Sequence, residues 1–174
     1  MKLDKISIHK EGAVIVLREL SSDSLILTKR GTTMRYHPGE VCFPGGSWQE
    51  GDKDFYATAL RELHEELGIQ SSRVKLEKAL DPEQTLGGYI IYPCLANIKK
   101  LIPYQLESHE VAEVFLLPMV EVINPSNYKE IKFERSGVSV KTYQFTASEF
   151  YVWGATARIM RQLVHIITLK SRKL

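Results

Sequence analysis

The alternation of apolar and polar side chains divides the chain into short strands and two helices. Residues 13–17 and 24–30 are apolar runs joined by a polar segment, a pattern typical of adjacent strands. Four later runs predict further strands over residues 73–80, 89–98, 110–117 and 138–145. Pro93 has no backbone N–H to donate, so it predicts an edge strand or a bulge at the middle of its run.

Two other segments carry a helical period. Residues 53–67 predict a helix that Asp52 caps and Gly68 ends. Its apolar stripe consists of Tyr56, Leu60, Leu63 and Leu67. A second apolar stripe over residues 154–169 predicts a helix that closes the core. Because no repeat or flexible linker interrupts these elements, we expect one domain over residues 1–174.

Three glutamates on the first helix indicate a possible site. Glu62, Glu65 and Glu66 lie nearly opposite the leucine stripe, within an arc of about 100°. Their mutual repulsion costs a few tenths of a kcal/mol per pair, and two of them face an unfavourable helix dipole. A solvated surface is the commoner explanation for such charges on a generic helix. A hard divalent cation would instead reverse both penalties, which predicts bound Mg²⁺ or Mn²⁺.

Composition and charge narrow the possible partners. The 174 residues are 44% hydrophobic and 25% charged, as in a soluble globular domain. The net charge of +2 gives no general attraction to nucleic acid or membranes. Cys42 and Cys94 lie in apolar runs, which favours reduced thiols over a disulfide or zinc site. The first 20 residues fit neither a signal peptide nor a membrane anchor, so we expect a cytoplasmic protein.

The segment from Gly46 to Ile69 resembles the Nudix box, G-x5-E-x7-R-E-U-x-E-E-x-G-U, in which U is a bulky aliphatic residue. Its second half, RELHEELGI, matches at every position. Asp52 takes the central acidic position, and one extra residue separates it from Arg61. The coenzyme A pyrophosphatase group of the Nudix family carries the same extra residue, so the chain looks closest to that group.

An upstream segment is similar to a second motif of this group, L-L-T-x-R-(S/A)-x3-R-x3-G-x3-F-P-G-G. Residues 26–46 read ILTKRGTTMRYHPGEVCFPGG and keep Arg30, Arg35, Gly39 and Phe43 in register. Ile26 and Gly31 are mild departures from the motif. Weaker likenesses over residues 80–93, 110–118 and 152–159 extend the resemblance to most of the chain.

The resemblance implies an α/β fold, an α/β/α sandwich with a mixed sheet. It also implies hydrolysis of the diphosphate of coenzyme A or its derivatives to 4'-phosphopantetheine, or its acyl form, and 3',5'-ADP. Glu62 and Glu66 are the expected metal ligands, with Glu65 as a third ligand or the group that orients water. Arg61 is expected to orient a carboxylate of the box. The partner is then a small nucleoside diphosphate derivative, and the oligomeric state stays open.

Each candidate site residue outside the helix has both a functional and a purely structural explanation. Gly45 and Gly46 let backbone approach metal and phosphate closely, although a simple turn after Pro44 explains them equally well. Lys29, Arg30 and Arg35 are candidate cations for the diphosphate or the 3'-phosphate, or else solubilising charges. One of Glu110 and Glu113 is a candidate extra ligand or base, or both are edge-strand charges.

The same residues are also compatible with other functions. The metal helix would equally serve a Nudix diphosphatase acting on ADP-ribose, a dinucleotide or a nucleoside triphosphate. A Nudix-fold binding module that has lost catalysis is a further alternative, which the intact glutamates disfavour. Near the C-terminus, Tyr151, Trp153 and Met160 are expected to pack in the core instead of stacking on a ligand.

Overall fold

The computed structural model describes residues 10–85, 87–135 and 137–171 of the chain. The strands are β1 (Glu11–Glu19), β2 (Ser24–Arg30), β3 (Val41–Cys42), β4 (Gly45–Ser47), β5 (Val74–Ala79), β6 (Glu83–Gln84), β7 (Ile90–Ile98), β8 (Val111–Pro118), β9 (Tyr128–Arg135), β10 (Val138–Phe145) and β11 (Val152–Trp153). The α-helices are α1 (Phe55–Leu67), α2 (Met119–Val122) and α3 (Gly154–Ser171). Residues 1–9, which carry part of the prediction about the N-terminus, lie outside the described residues.

The strands form one mixed sheet and one antiparallel sheet. The larger sheet has eight strands along the path β3-β2-β1-β7-β5, with β4 paired to β1, β6 to β7 and β8 to β2. Strands β1 and β7 run parallel over their whole length, and the other pairs are antiparallel. The smaller sheet has the order β11-β10-β9. The predicted mixed sheet is therefore confirmed.

Other elements cover both faces of the larger sheet. The central strands are therefore apolar on both faces, without the alternation of a half-exposed strand. On one face, Ile15 and Leu17 of β1 pack with Leu63 and Leu67 of α1. On the other face, the apolar cluster is built from Val16, Leu25, Leu27, Phe145, Ile159, Met160 and Leu163, so it joins β1 and β2 to β10 and α3. The predicted α/β/α arrangement is confirmed, with α1 and α3 on opposite sides of the larger sheet.

The cap of α1 differs from the prediction, while its end agrees with it. The helix begins at Phe55, and Asp54 caps it by accepting a hydrogen bond from the Ala57 backbone N–H at 2.8 Å. Asp52 is not the cap, because hydrogen bonds from Thr58 and Arg61 hold its carboxylate elsewhere. Gly68 ends the helix in the left-handed conformation, with φ of 64°.

Pro93 marks neither an edge strand nor a bulge: β7 lies between β1 and β5 inside the larger sheet, and Pro93 pairs with Val14 of β1 in regular register. On one side, the neighbour of β7 changes from β5, where Ala79 pairs with Cys94, to β6, where Glu83 pairs with Ile91. The carbonyl of Pro93 faces this junction and accepts from the Leu80 N–H at 2.9 Å. The missing donor of proline therefore falls between two partner strands, where it breaks no regular ladder.

Candidate active site

Two of the three helix glutamates are buried, contrary to the solvated surface that the sequence also allowed. Glu62 and Glu66 are 9% and 4% exposed. Glu65, one position before Glu66, has a side chain that is 51% exposed. Strand β4 covers this side of α1 while pairing with the start of β1. The carboxylates of Glu62 and Glu66 thus lie between the helix and a glycine-rich strand.

Close contact with Glu62 requires glycine at position 46. A Cβ at Gly46 would lie 2.4 Å from Cδ of Glu62 and within 2.6 Å of both carboxylate oxygens. A Cβ at Gly45 would lie 2.3 Å from the carbonyl oxygen of Ala13. A turn after Pro44 alone would not impose these contacts. The two glycines therefore let β4 lie directly against the buried carboxylate and β1.

Arg61 ties the loop before α1 to the helix carboxylates. Its Nε and Nη2 donate to the two carboxylate oxygens of Asp52, each at 3.1 Å. Its Nη1 donates to Glu62 at 2.8 Å and to Glu65 at 3.0 Å, and Nη2 also reaches the Ser47 carbonyl at 2.9 Å. The guanidinium holds the pKa of Asp52 at about 2. Asp52 thus anchors Arg61, and Arg61 orients the carboxylate of Glu62.

Glu66 is an ionisable group in an unusually apolar position. Burial, followed by the charge of Glu62, raises its pKa to about 8, while Arg30 opposes the shift and Glu110 adds to it. Burial also raises the pKa of Glu62. The oxygen Oε2 of Glu66 is buried and has no hydrogen-bond partner. A positively charged ligand would satisfy such an unpaired, buried carboxylate oxygen.

The donor set fits a divalent cation of the Mg²⁺ or Mn²⁺ type. Glu62 and Glu66 supply only oxygen atoms, which such hard cations prefer, and the orphaned Oε2 is free to coordinate. Within the described ranges, no three His, Cys, Asp or Glu side chains converge in a ready-made metal site. Arg61 pairs with one carboxylate oxygen of Glu62, so this ion pair would have to rearrange when a cation binds.

The side chains of the three predicted cations lie in different surroundings. Arg30 ends β2 on the α1 side of the sheet, where its charge acts on Glu66. Arg35 lies on the exposed loop that follows, with its guanidinium 5.3 Å from the ring centroid of Tyr36. Lys29 lines a cleft on the other face of the sheet. Only Arg30 is therefore brought close to the buried glutamates.

The two candidate acids on β8 also differ in position. Glu110 lies at the entry to the strand, and its charge acts on both Glu62 and Glu66. Glu113 is exposed within β8, where it stands opposite Lys29 in the ladder. Glu110 is therefore near the buried carboxylates, whereas Glu113 is an edge-strand residue.

Tyr89 also lies at this site, although the weak likeness over residues 80–93 indicated no role for it. Its hydroxyl lies 3.1 Å from Oγ of Ser47 and 3.2 Å from the carbonyl oxygen of Glu11. A Cβ at Gly12 would lie 2.0 Å from this hydroxyl and 2.2 Å from the Gly46 carbonyl oxygen. Tyr89 thus braces β4 from the side opposite α1. Its distance along the chain from the glutamates left no spacing signal.

The aromatic residues near the C-terminus depart in part from the predicted core. Met160 is fully buried, as expected, and Trp153 is half-buried. Tyr151 is 56% exposed, so its predicted core position is wrong. It directly precedes the two-residue strand β11, where its ring faces outward beside that of Trp153.

No helix among the described residues combines the length and apolar content needed to cross a membrane. Residues 9–136 match the NUDIX domain family. The Nudix hydrolase NudL of Enterobacter sp. (strain 638) is 34% identical over 170 residues, which cover 98% of this chain and 88% of the relative.

Solved structures show the same fold at low sequence identity. An Ap4A hydrolase from C. elegans, crystallised as a binary complex, aligns with a TM-score of 0.55 and 19% identity, over 64% of this chain and 83% of that one. The NUDIX domain of Shewanella oneidensis NrtR, solved with ADP ribose, aligns with a TM-score of 0.53 and 17% identity, over 71% of this chain and 81% of that one. Nudix hydrolases act on diphosphate substrates and generally use divalent metal ions. By its sequence match and its fold, this chain belongs to the Nudix hydrolase family.

Proposed function

We propose that this enzyme hydrolyses the diphosphate of coenzyme A, or of a coenzyme A derivative, to 4'-phosphopantetheine or its acyl form and 3',5'-ADP. The observation that carries the proposal is the segment 26–46, which keeps the motif of the coenzyme A pyrophosphatase group. Its Arg30 is the cation that acts on Glu66, and its last glycine touches Glu62. This segment therefore joins a substrate motif directly to the carboxylate site.

The residue roles follow from these contacts. Glu62 and Glu66 would hold Mg²⁺ or Mn²⁺, with Glu65 as a third ligand or the group that orients water. A cation held there supplies positive charge to the diphosphate oxygens and acidifies a nearby water. Arg61 keeps Glu62 oriented, and Arg30 offers paired N–H donors to the diphosphate. Hydrolysis needs little else from the protein, since phosphoryl transfer depends mainly on positioning and charge.

Substrate turnover with Mg²⁺ or Mn²⁺ tests the proposal. Coenzyme A, dephospho-coenzyme A, ADP-ribose and Ap4A form the panel, and we expect the highest kcat/KM for a coenzyme A derivative. The C. elegans and NrtR structures make Ap4A and ADP-ribose the appropriate competitors. A clear preference for either competitor would overturn the substrate assignment. Absence of turnover on every compound would favour a binding module.

A pair of glutamate variants tests the metal role. Glu66→Gln keeps the shape of the side chain but removes its charge, and we expect hydrolysis to fall by roughly 100-fold or more. Glu134→Gln is the matched control, because Glu134 is exposed on β9 in the smaller sheet. Unchanged turnover by Glu66→Gln would exclude Glu66 as a metal ligand.

We also propose a cytoplasmic location. Cys42 and Cys94 are free cysteines in the folded chain. Burial raises the pKa of each thiol to about 11, which keeps both protonated and unreactive at neutral pH. Free, unreactive thiols are the usual condition of cysteines in the reducing cytoplasm.

A further inference from the structure

A cleft lies at the end of β2 on the sheet face opposite α1. Its volume is about 320 Å³, at the lower end of the range for small-molecule sites. Its lining includes Lys29, Gly39, Val41, Phe150, Tyr151 and Trp153. The last three residues follow position 136, where the match to the NUDIX domain ends. The cleft therefore combines the coenzyme A motif segment with a part of the chain outside the family match.

The aromatic lining offers a fixed surface for a planar group. The Phe150 ring stacks on Phe115 at a centroid distance of 4.3 Å, and Trp153 packs edge-on against Phe133 at 5.7 Å. Tyr151 lies 6.1 Å from Trp153 at an interplanar angle of 31°, with most of its surface exposed. Since its neighbours are held by other rings, Tyr151 presents an open face on which a nucleobase can stack.

Lys29 supplies a positive charge to this aromatic cleft. The residue is half-buried, and among the residues that the structure describes its ammonium pairs with no carboxylate. The nearby Glu40, which also lines the cleft, is engaged by His37 at 3.0 Å. Glu149 also lines the cleft, and Glu113 stands opposite Lys29 in the ladder, but neither carboxylate forms an ion pair with its ammonium. A half-buried ammonium without an ion pair can bind a phosphate group beside the aromatic rings.

The cleft and the carboxylate site meet around the end of β2. Lys29 and Arg30 are consecutive, with Cα atoms about 3.8 Å apart. The pairing of β2 with β8 shifts register between these two residues, and their side chains serve different sites: Lys29 lines the cleft, while Arg30 acts on Glu66. A ligand whose diphosphate lies beside Arg30 can therefore extend past the strand end and reach Lys29.

We propose that this cleft binds the nucleoside end of the substrate. The base stacks on Tyr151, and Lys29 binds a phosphate that is not part of the scissile diphosphate. This inference rests on the proposed function and deepens it, because the 3'-phosphate distinguishes coenzyme A from dephospho-coenzyme A and ADP-ribose. Lys29 is then a specificity-determining residue and Tyr151 a base-binding residue, both on the sheet face opposite the metal helix.

Steady-state kinetics with matched substrates test the role of Lys29. Lys29→Gln should lower kcat/KM for coenzyme A by roughly tenfold or more, because a charge-assisted contact to phosphate is lost. The same variant should change kcat/KM for dephospho-coenzyme A by less than about twofold, since that substrate lacks the contact. Lys75→Gln, on the exposed edge strand β5, is the control and should change neither value. An equal effect of Lys29→Gln on both substrates, or none on either, would overturn the inference.

Tyr151→Ala separates base recognition from phosphate recognition. It should lower kcat/KM for both substrates by roughly tenfold, because both carry the same base, and leave their ratio near the wild-type value. Tyr104→Ala is the aromatic control, since Tyr104 is also exposed but does not line the cleft. Wild-type rates for Tyr151→Ala would contradict base stacking, and circular dichroism checks that each variant is folded.

Binding of product fragments distinguishes failure of the cleft from failure of the proposed function. By calorimetry, 3',5'-ADP should bind the wild-type protein roughly tenfold more tightly than 5'-AMP, and Lys29→Gln should abolish the difference. If the wild type hydrolyses coenzyme A but Lys29→Gln leaves this affinity difference unchanged, the proposed role of the cleft is refuted and the proposed function stands. If Lys29→Gln abolishes the affinity difference but the wild type does not hydrolyse coenzyme A, the proposed function is refuted and the proposed role of the cleft stands.

Discussion

Replacing Glu66 by glutamine should change how the stability of the metal-free protein depends on pH. Burial raises the pKa of Glu66 from its ordinary value of 4.5 to about 8. Between these two values the folded protein retains a proton that the unfolded chain has already released. The unfolding free energy must therefore fall as the pH rises. The contribution of Glu66 is fully present below pH 4.5 and is lost by the time the pH has passed about 8.

The size of this effect follows from the linkage between protonation and folding. One proton bound only by the folded state gives a slope of about 1.4 kcal/mol per pH unit. With a folded pKa of about 8, the unfolding free energy falls by about 2 kcal/mol between pH 6 and pH 8. Burial shifts the pKa of Glu62 in the same direction. The variant Glu66→Gln should remove the larger part of this decrease.

Urea denaturation at several pH values, in the presence of a chelator, measures this slope. Glu65→Gln is the control, since it removes an exposed carboxylate from the same helix turn and leaves Glu66 in place. We expect the control to retain the wild-type slope and Glu66→Gln to flatten it. If all three proteins lose stability equally between pH 6 and pH 8, Glu66 does not hold the extra proton.

Three further variants test the scaffold around the carboxylates. Gly46→Ala should lower kcat roughly 100-fold, because its methyl would lie 2.4 Å from a buried carboxylate, with circular dichroism as the check of folding. Arg61→Lys keeps the charge but loses the paired contact to Asp52, so urea denaturation should show a loss of about 1 to 3 kcal/mol. Leu63→Ala should cost about 2 to 5 kcal/mol by the same measurement, whereas the exposed control Leu20→Ala should change stability by less than about 0.5 kcal/mol.

The sequence predicted the long apolar strands and both long helices because burial on one or two faces dictates their composition. It did not indicate β9, in which charged side chains interrupt the apolar positions and only a hairpin partner completes the strand. The short strands β3, β4, β6 and β11 also escaped prediction, since two or three residues cannot display a period. The prediction of an edge strand or a bulge at Pro93 was wrong because the effect of a proline depends on which strands lie beside it.

The sequence indicated the candidate site residues through their spacing, but it could not predict which of them are buried. On an isolated helix, Glu62, Glu65 and Glu66 share one polar side. Only the glycine-rich strand, which approaches from elsewhere in the fold, separates two buried carboxylates from an exposed one. The same limit applies to Lys29 and Arg30, which adjoin in sequence yet serve opposite faces of a sheet.

The balance of charges around α1 explains why a cation should stabilise the whole fold. Among the described residues, Arg61 is the one cation that pairs with Asp52, Glu62 and Glu65, so carboxylates outnumber the cations that contact them. Glu66 has no direct ion pair among the described residues and avoids repulsion in the metal-free protein by remaining protonated. A bound divalent cation would replace this proton, so its affinity should rise with pH up to about pH 8. The stability lost by the metal-free protein at higher pH should therefore be regained with Mg²⁺ or Mn²⁺, in proportion to the logarithm of cation concentration. If saturating cation leaves the unfolding free energy unchanged at pH 8, the buried carboxylates do not form a metal site.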